Sequence, residues 1–296
     1  MKRRQRLLAG TLLAAILAGP LSAAAATPQA QGVVWQIDNT HVYPYGDWDQ
    51  LGVQDLLVQW TAVNNIAFVS TPNIPPAPRL PDWPRIAGEP WARNVIVGLD
   101  GNFNETTARA EAISLVEQSV KLALYHPPVH VVGWYFPVEI DPTWADAKTL
   151  RTVLGTLPRP LWISVYDNSN IGGAALANWL ASWLPSDVGV FFQDGCGEYA
   201  RDAPVARTYA DALSAKLGST RVRIIAEAFR PAQGGGLRAA TADELGTQLD
   251  NYHGYRTYLF DGPHYVSRQL VQELLDRANG AAVKARAVAA ASGVAH

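Results

Sequence analysis

The sequence predicts a (β/α)8 barrel. Eight short apolar runs follow one another from Gly32 onward, several are separated by stripes at helical spacing, and a chain of 296 residues with 48% hydrophobic and 17% charged residues suits one large α/β domain. The same composition excludes a disordered or collagen-like chain.

The first 26 residues read as a signal peptide. Lys2 to Arg6 is basic, Leu7 to Gly19 is apolar, and Ala23 to Ala26 offers a small-residue cleavage site before Thr27. The apolar run is about 13 residues, too short to span a bilayer. The expected organisation is therefore a leader at 1–26, a barrel at 27–280 and an Ala-rich tail at 281–296 that extends the last helix or frays. The mature protein is expected in the periplasm or outside the cell, monomeric and free of the membrane. Loss of Lys2, Arg3, Arg4 and Arg6 takes the 24 basic residues to 20 against 26 acidic ones. Such a chain has no electrostatic footprint for nucleic acid. A single cysteine, Cys196, excludes an internal disulfide and a cysteine-based zinc cluster.

The predicted strands are Val33–Ile37, Leu56–Trp60, Val95–Leu99, Val129–Phe136, Leu161–Val165, Val188–Phe192, Val222–Ala226 and Thr257–Phe260. Most are continuously apolar, as strands covered on both faces are. Between the first two there is room for only a very short helix. The proline-rich stretch from Pro72 to Pro90 excludes a long second helix, with one turn expected near Arg85. The first and second helices are thus shortened. Later helices follow from stripes at Ile113, Val116, Val120, Ala123 and Leu124, then at Leu176, Trp179, Leu180, Trp183 and Leu184. Two more run through Val205, Tyr209, Leu213 and Leu217, closed by Gly218, and through Val266, Leu270, Leu274 and Ala278. Asp141-Pro142 should open the helix after the fourth strand. Trp162, Trp179 and Trp183 are expected between barrel and helices.

Barrel chemistry sits at the C-terminal strand ends, and polar groups recur there: Asp38, Gln59, Glu139, Gln193, Asp194, Glu227 and Asp261. Trp35, Trp60, Trp134, Tyr135 and Tyr166 stand beside them. Carboxylates and amides bind sugar hydroxyls, and aromatic faces pack on sugar C–H faces. Glu139 and Glu227 matter most, because two carboxyls facing each other across a barrel mouth push their proton affinities apart, as glycoside hydrolysis requires. A bland role for Glu227 would be an ion pair with Arg223 or Arg230.

Glutamates after the fourth and seventh strands resemble the clan of retaining glycoside hydrolases that includes cellulases and β-galactosidases, although Val138 stands where that clan carries Asn. A closer resemblance is to a secreted bacterial barrel family of unknown function grouped with glycoside hydrolases. It rests on Gly133-Trp134-Tyr135-Phe136-Pro137-Val138-Glu139-Ile140, Gln193-Asp194-Gly195 and Leu57-Val58-Gln59-Trp60. The resemblance implies Glu139 as acid/base and Glu227 as nucleophile or as the carboxylate that stabilises the transition state. Asp194 would bind the sugar or tune a glutamate, with Gln193 beside it. The substrate would be an oligo- or polysaccharide. No cofactor and no metal is expected: His126 and His130 are separated by prolines, and His41 and His264 form no recognisable cluster. The rival readings are a non-catalytic polysaccharide-binding barrel assisting exopolysaccharide export or processing and, disfavoured by the histidine arrangement, a metal-dependent deacetylase. Gln233 to Gly236 reads as a flexible loop over the cleft.

Overall fold

The computed structural model describes residues 30–292, so the predicted leader lies outside the described residues. Eight strands form the barrel: β1 Gly32–Trp35, β2 Asp55–Val58, β3 Asn94–Gly98, β4 Val131–Ile140, β5 Leu161–Val165, β6 Val188–Gln193, β7 Val222–Glu227 and β8 Thr257–Phe260. Each pairs in parallel with the next, and β8 closes on β1. The protein is an α/β barrel of the (β/α)8 type, and all eight predicted runs are its strands.

The helices are α1 Trp83–Ala87, α2 Glu105–Ala110, α3 Ala112–Leu122, α4 Leu150–Val153, α5 Gly173–Ala181, α6 Ala203–Leu217, α7 Ala242–Asn251, α8 Gly262–Tyr265 and α9 Arg268–Ser292. As predicted, the first two connections are short of helix: a 3-10 turn at Trp48–Leu51 follows β1, and the five residues of α1 follow β2. The Ala-rich end continues α9 to Ser292. Gln233 to Gly236 is the tip of a hairpin pairing Phe229–Pro231 with Leu237–Ala239.

Two cores follow from strand alternation. The inward faces stack Val34, Leu57, Ile96, Tyr135, Trp162, Phe191, Ile225 and Tyr258 in the barrel. The outward faces pack on the helices in a larger core. Trp162 therefore fills the barrel rather than its boundary with the helices, and Gly189 makes room for it, since a β-carbon there would overlap the indole. On α3 the buried face is Ala112, Leu115, Val116, Ser119 and Leu122, with Ile113 and Val120 exposed. The predicted stripe was rotated from the true one, because Ala112 and Ser119 are small enough to pack closely against β-structure while carrying little apolar signal. Asp141 does not open a helix. It is buried and accepts from Thr143 N at 2.7 Å and Asn168 N at 2.8 Å, tying the β4 and β5 loops together.

One irregularity positions the site. Phe136 pairs with Ile163, but Glu139, three residues on, pairs with Ser164, the very next residue of β5. The two surplus residues are Pro137 and Val138, and Pro137 has no N–H to lose from the ladder. Two extra residues preserve the inward parity of Tyr135, Pro137 and Glu139 and bring Glu139 level with Ser164.

Candidate active site

A cavity of about 310 Å³ opens at the C-terminal ends of the strands, and both Glu139 and Glu227 line it. Tyr135 and Ile225 from the barrel core also reach it. Trp60 is held by its indole N–H, which donates to Ile37 O at 2.8 Å, and the exposed ring of Phe103 meets it edge-on with centroids 4.8 Å apart. The two rings make an apolar wall at the mouth.

Glu139 is half-buried in a polar frame. Its Oε2 accepts from Gln193 Nε2 at 3.1 Å, and the same amide nitrogen donates to Ser164 Oγ at 2.7 Å. Both amide protons are thus committed and the Gln193 side chain is fixed. Arg109 Nη2 lies 3.8 Å from Glu139 Oε1, while Arg109 Nε donates to Glu139 O and to Glu105 Oε1, both at 3.2 Å. Glu105 Oε1 also accepts from Glu139 N at 3.0 Å. Desolvation raises the Glu139 carboxyl above its usual range against the opposing pull of Gln193 and Arg109. Glu105 is pushed up to about 7 by burial and the neighbouring Glu139.

Glu227 ends β7 and is 5% exposed. Its Oε2 accepts from Gly197 N at 2.6 Å. Burial and then the charge of Asp194 push its carboxyl up to about 8. Arg230 donates to the Glu227 carbonyl at 2.9 Å, not to the carboxylate. Arg223 lies in the barrel instead, donating to Tyr258 Oη at 2.7 Å with its guanidinium over the Trp162 ring.

Of the other predicted site residues, Gln193, Gln59, Trp60, Tyr135 and Tyr166 line the cavity. Among the described residues the buried Gln59 Oε1 has no hydrogen-bond partner, which leaves an unused acceptor at the cavity. Asp194 is fully buried behind Glu227. Its Oδ1 accepts from Cys196 N and Glu227 N at 3.2 and 3.3 Å, and its Oδ2 from Tyr252 Oη at 2.8 Å and from Gln248 Nε2. Trp35 and Trp134 do not line the cavity: Trp35 is buried against Trp83, and Trp134 meets His126 on the outer face. Asp38 stands at the rim beside His41 and His264, which do come together.

Asn102, a polar residue just past the third strand, lines the cavity as its position there suggests; Gln36, Phe103, Glu105, Ser164, Glu198, Phe229 and Phe260 also line it and were not foreseen as site residues. Gln36 and Ser164 could have been found from parity, each lying two residues beyond an inward core residue, Val34 and Trp162. Nothing in the sequence links Glu105 to Glu139.

No protein-family model matches the chain, and no curated protein matches it. Among solved structures it is similar to a putative alpha-L-fucosidase from Bacteroides thetaiotaomicron, at 16% identity over 90% of this chain and 98% of that one, with a TM-score of 0.55. It is also matched to a chitinase from Chromobacterium violaceum, at 13% identity over 83% of this chain and 99% of that one, with a TM-score of 0.43. The first likeness supports the barrel fold.

Proposed function

We propose that this protein is a glycoside hydrolase acting on an oligo- or polysaccharide, with Glu139 and Glu227 as its carboxyl pair. The observation that carries this reading is that two glutamates from opposite parts of the chain line one cavity that is floored by Tyr135 and edged by Trp60 and Phe103. Both carboxyls are raised by burial, so the pair can hold a proton near neutral pH. One then donates to the leaving oxygen while the other, ionised, attacks the anomeric carbon or activates water. The aromatic wall offers sugar C–H faces a partner, and Gln59, Asn102 and Gln193 offer hydroxyls their hydrogen bonds. The name of the putative alpha-L-fucosidase matched above agrees with a sugar substrate without specifying it.

The motif resemblance makes Glu139 the acid/base and Glu227 the nucleophile of a retaining reaction. A second assignment has a specific observation behind it. Glu227 holds its proton to about 8, whereas Glu139 faces Arg109 and an amide donor. On that ground Glu227 is the acid and Glu139 the attacking or activating carboxylate. With the leader expected at 1–26, the proposed substrate is a saccharide met outside the cytoplasm.

A hydrolysis screen over a polysaccharide panel tests the function. Glu139→Gln and Glu227→Gln should each lower kcat about 10²- to 10⁴-fold while sparing sugar binding. Normal turnover by both variants would sink the proposal, and sugar binding without turnover by the parent would leave the non-catalytic binding barrel. Azide added to the Glu139→Gly and Glu227→Gly variants separates the roles. Rescue at the nucleophile position gives a glycosyl azide of inverted anomeric configuration, and rescue at the acid/base position a retained one.

A further inference from the structure

Beside the cleft, the loop leaving β1 and the short helix α8 bring three ligating side chains together. Asp38, His41 and His264 each offer one ligand atom, and these atoms lie within 4.8 Å of one another. The two imidazole rings are in contact, with centroids 3.6 Å apart. His264 Nε2 is 3.5 Å from Asp38 Oδ2, and His41 Nδ1 is 3.3 and 3.4 Å from the two Asp38 oxygens. These separations are long for charge-assisted hydrogen bonds, which run at about 2.7–2.9 Å. The aspartate–histidine separations fall in the range of ligands that share a tetrahedral ion, about 3.3–3.6 Å for zinc distances of about 2.0–2.2 Å, and the two rings have only to swing apart for both to ligate.

The surroundings of the cluster are built for the same purpose. Asp261 is 1% exposed, and its Oδ1 takes the His264 backbone N–H at 2.8 Å and lies 2.9 Å from His264 Nδ1. With Nδ1 turned to that carboxylate, Nε2 is the nitrogen that faces Asp38 and can ligate, the arrangement of a carboxylate–histidine–metal relay. On Asp38, Oδ1 is occupied by the Thr40 and His41 backbone N–H groups, both at 2.6 Å, and by the Thr40 hydroxyl at 2.7 Å. Oδ2 is left for the histidine side.

We propose that Asp38, His41 and His264 bind one divalent transition ion of the zinc type, with Asp261 orienting His264 from behind. The three side chains are 21–37% exposed, so a fourth position faces solvent rather than protein. Gln36, which lines the cleft, donates its backbone N–H to Asp261 Oδ2 at 2.6 Å, so the ion site and the cleft share a wall. The ion clips the β1 exit loop to the β8–α8 junction. The proposal is independent of the glycosidase reading.

The test uses full-length, tag-free protein stripped with a chelator and titrated with zinc chloride by calorimetry, with cobalt(II) as a spectroscopic probe. The expected result is one saturable equivalent per chain, a rise in Tm on zinc addition and visible absorption of a tetrahedral cobalt complex. Asp38→Asn, which keeps an acceptor for the loop N–H groups, and His264→Gln should each abolish the cobalt spectrum. Asp261→Asn should weaken zinc binding about 10- to 100-fold. His126→Gln, on the outer face against Trp134, should change nothing. Absence of saturable binding by the parent would overturn the proposal, as would equal binding by Asp38→Asn. Should His264→Gln fail to fold, Asp38→Asn and the cobalt spectrum of the parent decide.

Discussion

Glu227 is buried and Glu139 half-buried, and their neighbours differ, which on the proposed reading permits two roles. Glu227 accepts one backbone N–H and lies beside the carboxylate of Asp194, with Arg201 only a weaker opposing charge. Glu139 sees an amide and the Arg109 guanidinium. Removing that cation should therefore raise the proton affinity of Glu139. For Arg109→Ala, the limb of the pH–rate profile set by Glu139 should move to higher pH, by less than about one unit because both groups are partly exposed. A shift to lower pH would contradict the assignment. At this scale the sequence was informative where a residue follows an apolar run on the inward parity, as Gln59, Gln193 and Glu227 do. Trp35 and Trp134 fall on the outward parity and were misplaced, because nearness to a strand end says nothing of which face a ring occupies. Glu105 was invisible, since its link to Glu139 is made only by folding.

At the scale of elements, the barrel strands were legible because burial on both faces writes continuous apolar runs. The α3 face was not, because its packing residues are small, and the bulge at Pro137-Val138 left no signal beyond the proline. The fit of Trp162 inside the barrel shows the cost of that density. Gly189→Ala puts a methyl group into the indole, and should destabilise the fold by about 1–3 kcal/mol in urea unfolding. An unchanged midpoint would mean that Trp162 has room to retreat. The structure of the connections followed the prolines: Pro72 to Pro90 holds only α1, capped by Asp82 with Pro84 in its first turn.

For the whole molecule, the raised carboxyls impose a pH dependence on stability. Folded Glu227 keeps its proton to about 8 and loses it near 4.5 when unfolded. Between these values the folded state binds more protons, so this contribution is full below about 4.5 and is lost as pH rises through 8. Asp100 and Glu105, each raised to about 7, add in the same sense. Glu227→Gln removes one of these contributions. Its Tm relative to the parent should climb steadily from pH 5 to pH 8 in buffered melts, and a constant difference would refute the raised affinity.

Asp194 touches no wall of the cleft. It is nevertheless wired to the cysteine loop after β6, to α7 through Gln248, and to Tyr252 at the end of α7. Besides its own burial, the acidity of Glu227 thus answers to a group that lies outside the cavity lining. Substitutions on α7 can therefore retune the proton affinity of Glu227 without recutting the mouth of the cavity, and substitutions at the mouth can reshape it without disturbing that affinity.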